Sequence, residues 1–146
     1  MDAVLLDTTV VSLLHPQKKD SSLRARYDAH MAGKILALSF QSVAELWSWA
    51  EERSWGDRKK AELEAFLRKF LVIPYDSELA KAWARVNAQC KKRGRRLEAG
   101  DAWIVATAVH HGIPLLTHDE DHVGLELEGL NVISYAADNQ SQLLDY

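Results

Sequence analysis

Four acidic side chains in this sequence occupy positions from which they can do chemistry. Asp7 ends the short apolar segment AVLL, and Asp119 follows another apolar segment, PLLT, by two residues. Glu45 borders the apolar stripe of an amphipathic helical pattern, and Asp101 directly precedes the apolar run AWIVATAV. Taken singly, each acid has a structural explanation as a helix cap, a residue near the positive end of a helix or part of an exposed turn.

The elements that must position these acids are short apolar strands separated by helices. Strands are predicted at 3–6, 35–38, 71–75, 114–117 and 131–134. Helices are predicted at 8–15, 21–32, 42–53, 57–70 and 77–92. A sixth helix is predicted to begin at Asp101, with Asp101 or Gly100 as its N-cap, and to end at Gly112. This alternation predicts an α/β protein: a single domain over residues 1–146, with a central parallel sheet of four to five strands flanked by helices on both faces.

Ligands of such sheets bind beyond the carboxyl ends of the strands, near the point where the strand order reverses. The loops that follow the first, second and fourth predicted strands open on this edge, so several carboxylates can converge there. Converging carboxylates repel one another unless a cation lies among them. Oxygen ligands favour Mg²⁺ or Mn²⁺ over zinc, and such ions typically serve phosphoryl chemistry. In the acidic turn, Glu120 and Asp121 are alternatives to Asp119.

Bulk composition narrows the class of protein. The chain has 146 residues, is 47% hydrophobic and carries a net charge of −3, which is typical of one globular domain. No apolar run is long enough to cross a bilayer, and the acidic N-terminal segment does not fit a signal peptide, so we expect a cytoplasmic protein with no membrane contact. The single cysteine, Cys90, excludes an intrachain disulfide and a multi-cysteine zinc site.

A basic run, KKRGRR, lies just before Asp101. An acidic protein that binds a phosphate backbone must do so through a local basic patch, and this run is the candidate, although such runs are usually solvated helix ends. Its five cations are Lys91, Lys92, Arg93, Arg95 and Arg96.

Several other classes of site are excluded by missing patterns. None of the histidines His110, His111, His118 and His122 falls in an HExxH motif, so we expect them to be packed or solvated, with His118 close enough to the acids to affect a bound phosphate. Nucleotide-binding glycine loops and the GxSxG motif are absent. An aspartyl-phosphate hydrolase would have an aspartate at position 9, where this chain has Thr9.

The resemblance to a known family rests on three blocks of the sequence, LLDTTVV, SVAEL and GDAWIVATAVHHGIPLLTHDEDHV. Together they resemble the PIN-domain nucleases, and most closely the VapC-type toxins of toxin–antitoxin pairs. The resemblance runs from about residue 3 to residue 134. It implies a PIN-like fold and an endoribonuclease that cuts RNA with metal-activated water, as a homodimer blocked by an antitoxin. The implied ligands of one or two Mg²⁺ or Mn²⁺ ions are Asp7, Glu45, Asp101 and Asp119.

The fourth acid departs from the family pattern. The chain reads THDEDHV, with His122 where a phenylalanine is common, so Asp121 is a candidate to share or replace the role of Asp119. Thr117 matches the family threonine, which the resemblance implies to be a structural hydroxyl at the edge of the site. Contacts with RNA are predicted for the basic run and for Thr8, Thr117 and His118.

Two other functions are compatible with the same residues. One is a non-catalytic module that binds RNA or a partner protein, although mutually repelling carboxylates would then have no purpose. The other is a metal-dependent nuclease or phosphatase that acts on DNA or on another phosphate ester.

Overall fold

The computed structural model describes residues 2–14 and 22–136. Its centre is a sheet of five parallel strands in the order β3-β2-β1-β4-β5. The strands are β1 (Ala3–Leu6), β2 (Ile35–Ser39), β3 (Leu71–Ile73), β4 (Leu115–Leu116) and β5 (Val132–Ile133).

Six α-helices and one 3₁₀ turn surround the sheet in these described ranges. They are α1 (Thr8–Leu13), α2 (Ser22–Met31), α3 (Phe40–Glu52), α4 (Asp57–Leu67), α5 (Ser77–Lys92), α6 (Ala99–His111) and the 3₁₀ turn Glu120–His122. Across the part of the chain that is described, no helix combines the length and apolarity needed to span a bilayer.

The alternation of side chains along β1 divides the core into two layers. Leu5 packs with α5 and α6, through residues such as Leu79 and Ile104. Leu6 points to the opposite face and packs with Val10 of α1 and residues of α3. A strand covered on both faces must be apolar throughout, and β1 is buried at every position. The prediction of a parallel sheet with helices on both faces is therefore confirmed.

The strand order reverses beside β1. Leu5 pairs with Ala37 of β2 on one side and with Leu115 of β4 on the other. The chain first builds outward from β1 to β3 and then crosses over to add β4 and β5. The crevice beyond the carboxyl ends of β1 and β4 is thus the topological switch point, where ligands of such sheets bind. Asp7 and Thr117 directly follow these two strands.

Several elements are shorter than the sequence predicts. β3 ends at Ile73 because Pro74 has no N–H to continue a strand, and α4 ends at Leu67 instead of residue 70. Each of β4 and β5 keeps only two paired residues. The predicted helical positions 15 and 21 lie outside the described residues.

The start of α6 corrects one prediction. The helix begins at Ala99, with Glu98 at the N-cap position, instead of at Asp101. The N–H of Ala102 donates to the carbonyl of Glu98 at 2.9 Å, so the first helical turn already contains Asp101. Neither Asp101 nor Gly100 is the cap.

Candidate metal centre

Asp7 is the most firmly held of the four predicted acids. Its side chain is 3% exposed and caps α1, with Oδ1 accepting a 2.7 Å hydrogen bond from the N–H of Thr8. Oδ2 accepts from the hydroxyl of Thr117 at 2.6 Å and from that of Thr9 at 3.0 Å. Three donors to one carboxylate fix its orientation.

Asp119 is linked to Asp7 through Thr117. The backbone N–H of Asp119 donates to the Thr117 hydroxyl oxygen at 3.1 Å, and that hydroxyl donates to Asp7. Oδ1 of Asp119 accepts from the N–H of Asp121 at 2.9 Å and so caps the 3₁₀ turn. Asp119 is half-buried and Asp121 is exposed.

Glu45 reaches the same edge from α3. That helix begins where Ser39 accepts a hydrogen bond from the N–H of Ser42, and Glu45 follows one turn later. Its Oε2 accepts from the hydroxyl of Thr8 at 2.5 Å, and its Oε1 accepts from Gln41 at 3.2 Å. Thr8 therefore connects the carboxylate of Glu45 to the residue that follows Asp7.

Asp101 lies half-buried in the first turn of α6, and its surroundings disfavour its charge. The pKa of its carboxyl is raised from 3.8 to about 6, chiefly by burial and in addition by the neighbouring carboxylates of Asp119, Asp7 and Glu45, against an opposing effect of His122. Each of the other three predicted acids thus lies close enough to act on Asp101. The structure brings all four together, as the switch-point argument predicts.

Two groups of three side chains within the described ranges offer ligand atoms that all lie within 4.8 Å of one another. One group is Asp7, Asp119 and His122, and the other is Asp101, Asp119 and Asp121. Asp119 belongs to both. Glu45 belongs to neither and contacts the site through Thr8. Clustered carboxylate oxygens beside an imidazole nitrogen are a donor set that fits a hard or borderline divalent ion.

His122 was not predicted as a site residue. Its side chain is 0% exposed, so it is packed, which is one of the two states that the sequence predicts for the histidines. It is the third residue after Asp119 across a 3₁₀ turn, a spacing at which side chains eclipse one another. That spacing is the one sequence signal that could have placed its ring beside the Asp119 carboxylate.

Both of the threonines that are predicted to contact RNA are buried. Thr8 is 4% and Thr117 is 0% exposed, and their hydroxyls donate to the carboxylates of Glu45 and Asp7. These contacts favour a role in positioning the acids. His118 is partly buried, and its Nδ1 lies 2.8 Å from the hydroxyl oxygen of Tyr27. Burial lowers the pKa of the His118 imidazole, against an opposing effect of Glu120.

The basic run divides into one anchored arginine and four exposed cations. The guanidinium of Arg95 donates to the carbonyl of Asp121 at 2.7 Å and to that of Val123 at 3.1 Å. It therefore fastens the end of α5 to the loop that carries Asp119. The exposed members are Lys91, Lys92, Arg93 and Arg96.

The fold and the acid cluster together define a doubly wound α/β protein with its candidate site at the switch point. A family model for the PIN domain matches residues 4–126 of the chain. A VapC ribonuclease of Sinorhizobium fredii, Y4jK, is 33% identical over 137 residues, which cover 90% of this chain and 96% of the relative. The chain belongs to the PIN-domain family, as the three sequence blocks predict.

Two further relatives show the same likeness. Toxin FitB of Neisseria gonorrhoeae is 30% identical over 126 residues, covering 80% of this chain and 87% of that protein. The crystal structure of VapBC2 from Rickettsia felis, bound to a DNA fragment from their promoter, contains a chain that matches with a TM-score of 0.76 at 15% identity. That match covers 90% of this chain and 98% of the other, and at this identity it shows the fold.

Proposed function

We propose that this chain is a divalent-metal-dependent endoribonuclease and the toxin of a toxin–antitoxin pair. The observation that carries the proposal is the convergence of Asp7, Asp101 and Asp119 at the switch point of a PIN fold. Burial of mutually repelling carboxylates costs free energy, and a bound cation offsets that cost. The names of two relatives, a VapC ribonuclease and Toxin FitB, support the activity and the role.

Mg²⁺ or Mn²⁺ is the proposed cofactor, held by Asp7, Asp101 and Asp119, with Asp121 and Glu45 contributing from the edge of the cluster. When bound, such an ion supplies positive charge that activates water and stabilises the charge developing on a phosphate. The chain itself orients two of these acids. The hydroxyls of Thr9 and Thr117 hold Asp7, and the hydroxyl of Thr8 holds Glu45.

RNA is the proposed substrate, and the exposed cations of the basic run are proposed to bind its backbone. An acidic cluster repels phosphates, so a neighbouring patch of cations is needed to bind the RNA backbone close to the acids. Arg95 places that patch beside the acidic loop, because it bonds to the carbonyls of Asp121 and Val123. His118, on the same loop, is proposed to lie near the scissile phosphate.

The proposed assembly is a homodimer in the cytoplasm, blocked by a cognate antitoxin. Structural neighbours of this chain come from VapBC complexes, including the one from Rickettsia felis, and this likeness supports an antitoxin partner. The acidic pocket is the part of the surface that an inhibitor must cover or fill. A basic antitoxin segment fits it by charge.

The proposal is tested by cleavage of RNA, DNA and a small phosphate ester side by side, with Mg²⁺, with Mn²⁺ and with EDTA. We expect RNA cleavage that needs the metal and is abolished in Asp101→Asn, a variant that keeps the size of the side chain. Glu64→Gln, which neutralises an exposed acid of α4, is the matched control and keeps wild-type activity.

Three results would overturn the proposal. RNA cleavage at the wild-type rate by Asp101→Asn would exclude the site. Cleavage of DNA or of the ester without RNA would assign a different phosphate chemistry to the same cluster. RNA binding without metal binding or cleavage would identify a non-catalytic RNA-binding module.

A further inference from the structure

We propose that His122 is a direct metal ligand, so that the centre has a mixed nitrogen and oxygen donor set and prefers Mn²⁺ to Mg²⁺. This inference rests on the proposed function and adds to it. A site built only from carboxylates would use oxygen donors alone. One imidazole nitrogen of His122 instead lies within 4.8 Å of carboxylate oxygens of both Asp7 and Asp119.

The His122 ring is fully buried, yet its nitrogens are poorly satisfied. Nε2 has no hydrogen-bond partner among residues 2–14 and 22–136. Nδ1 lies 3.5 Å from the hydroxyl oxygen of Thr117, at the limit for a hydrogen bond, and that hydroxyl already donates its proton to Asp7 at 2.6 Å. The Thr117 hydroxyl therefore has no proton left for a lone pair on Nδ1. Buried polar groups without good partners are rare and point to an ion or water at the site.

The distance between His122 and Asp119 fits two ligands of one ion. Nδ1 of His122 lies 3.7 Å from Oδ2 of Asp119, which is too long for a hydrogen bond. Two donor atoms that each lie about 2.1 Å from the same ion are separated by roughly 3 to 4.2 Å. The ring is also held in place, because the 3₁₀ turn that carries His122 is capped by Asp119 and fastened by Arg95.

A nitrogen ligand changes which ion the centre prefers. Mg²⁺ favours oxygen ligands and gives up its water reluctantly, whereas imidazole nitrogen suits transition metals. The group of two carboxylates, from Asp7 and Asp119, with the imidazole of His122 is therefore suited to Mn²⁺, which accepts both donor types. We expect Mn²⁺ to bind more tightly than Mg²⁺, and His122 to account for most of the difference.

The direct test is pulsed electron paramagnetic resonance of Mn²⁺ bound to the full chain. Electron spin echo modulation from ¹⁴N is expected in the wild-type protein and is expected to change to the ¹⁵N pattern when histidine is labelled with ¹⁵N. His122→Phe, which keeps a ring and removes both nitrogens, should lose the modulation. His111→Gln, at the exposed end of α6, is the matched control and should keep it.

Calorimetry with each metal alone gives an independent measure. We expect His122→Phe to bind Mn²⁺ at least about tenfold more weakly than the wild type, since loss even of an outer-shell partner costs that much. Its affinity for Mg²⁺ should change less. Where His122→Phe does not fold, ¹¹³Cd²⁺ bound to the wild-type protein replaces it, because a scalar coupling between cadmium and the ring ¹⁵N of His122 requires a direct bond.

The outcomes separate this inference from the proposed function. Saturable Mn²⁺ binding without nitrogen modulation, or without a coupling from cadmium to His122, would overturn the ligand role and leave a carboxylate metal centre intact. The absence of any Mn²⁺ binding would overturn the proposed function itself. Equal losses of Mn²⁺ and Mg²⁺ affinity in His122→Phe would show a packing role in place of ligation.

Discussion

The hydroxyl of Thr117 donates a 2.6 Å hydrogen bond to Oδ2 of Asp7, joining residues that are 110 positions apart in the chain. This bond spans the switch point between the ends of β1 and β4. The same hydroxyl oxygen accepts from the N–H of Asp119 at 3.1 Å. One hydroxyl thus contacts both acids. A shift of β4 relative to β1 would therefore disturb the contacts of Asp7 and Asp119 at the same time.

Asp101→Asn is expected to stabilise the metal-free protein. Folding raises the pKa of Asp101 from 3.8 to about 6, so the folded state holds this proton more tightly than the unfolded state. The carboxyl therefore lowers the stability of the fold as pH rises from about 4 to about 6, and this loss persists at neutral pH. After allowance for solvent screening at a half-exposed site, the variant should gain about 1 kcal/mol, or roughly 3 °C in Tm.

The gain in stability is measured by thermal unfolding in EDTA at about pH 7.5 and again at about pH 4. The difference in Tm between variant and wild type should be smaller at about pH 4, because residue 101 is then neutral in both folded proteins. Excess Mn²⁺ should reverse the order, since the wild type binds it and the variant binds it weakly. A variant less stable than the wild type at both pH values would show that burial and the neighbouring carboxylates do not disfavour the charge of Asp101.

Thr8→Val is expected to reduce RNA cleavage about tenfold while the protein still folds, since the hydroxyl that orients Glu45 is lost. Removal of a buried hydrogen bond to a charged group should lower the free energy of unfolding by about 2 kcal/mol. Thr107→Val is the matched control, because the buried Thr107 hydroxyl donates to the carbonyl of Trp103 within α6. The control should lose stability without losing activity, and equal activity in both variants would refute the role given to Thr8.

Gly100→Ala is expected to lower cleavage by about ten- to a hundredfold through displacement of an acid. A Cβ at position 100 would lie 2.8 Å from Nε2 of Gln41 and 3.2 Å from Oε1 of Glu45, so both side chains must move. The fold should tolerate the change, because alanine favours a helix over glycine. Gly56→Ala is the control, since within the described part of the chain no atom beyond its two chain neighbours lies within 4 Å of a Cβ there. Steady-state cleavage rates measure the loss of activity in each variant, and circular dichroism checks that each variant is folded.

Substitutions in the basic run are expected to affect either RNA binding or kcat, depending on the residue. Lys91→Ala with Lys92→Ala should weaken RNA binding and reduce the slope of log affinity against log salt by about 1.4, if each cation contacts one phosphate of a single strand. Arg95→Ala should mainly lower kcat, because Arg95 holds the carbonyls of Asp121 and Val123. Filter binding over a salt series and single-turnover cleavage distinguish them. Identical effects on slope and kcat would contradict this division.

The sequence was sufficient to predict the sheet and its helical layers, and it predicted that the four acids lie near one edge of the sheet; their role as metal ligands stays a prediction. Strand ends are visible as apolar segments followed by a polar residue, so Asp7 and Asp119 could be placed on one edge from the pattern alone. The beginning of α6 was less accessible. Glu98 makes no side-chain capping bond there, so no capping signal marked the first turn.

The contacts between the acids could not be predicted, because they depend on side chains that are distant in sequence. Thr8 meets Glu45 only after α1 and α3 pack together, and Thr117 meets Asp7 only after β4 pairs with β1. The burial of His122 likewise depends on a short turn held by Arg95. Local sequence pattern carries no information about such contacts, so the partners of Thr8 and Thr117 could not be named from the sequence.

The strand order also determines when this centre comes into existence during synthesis. Asp7 and Glu45 precede Asp101 and Asp119 in the chain by more than 50 residues, and β4 pairs with β1, the first strand of this sheet in chain order. A nascent chain that has not yet delivered β4 from the ribosome has at most a partial set of carboxylates. The centre is therefore complete only after the segment that carries β4 and Asp119 has been synthesised and has paired with β1.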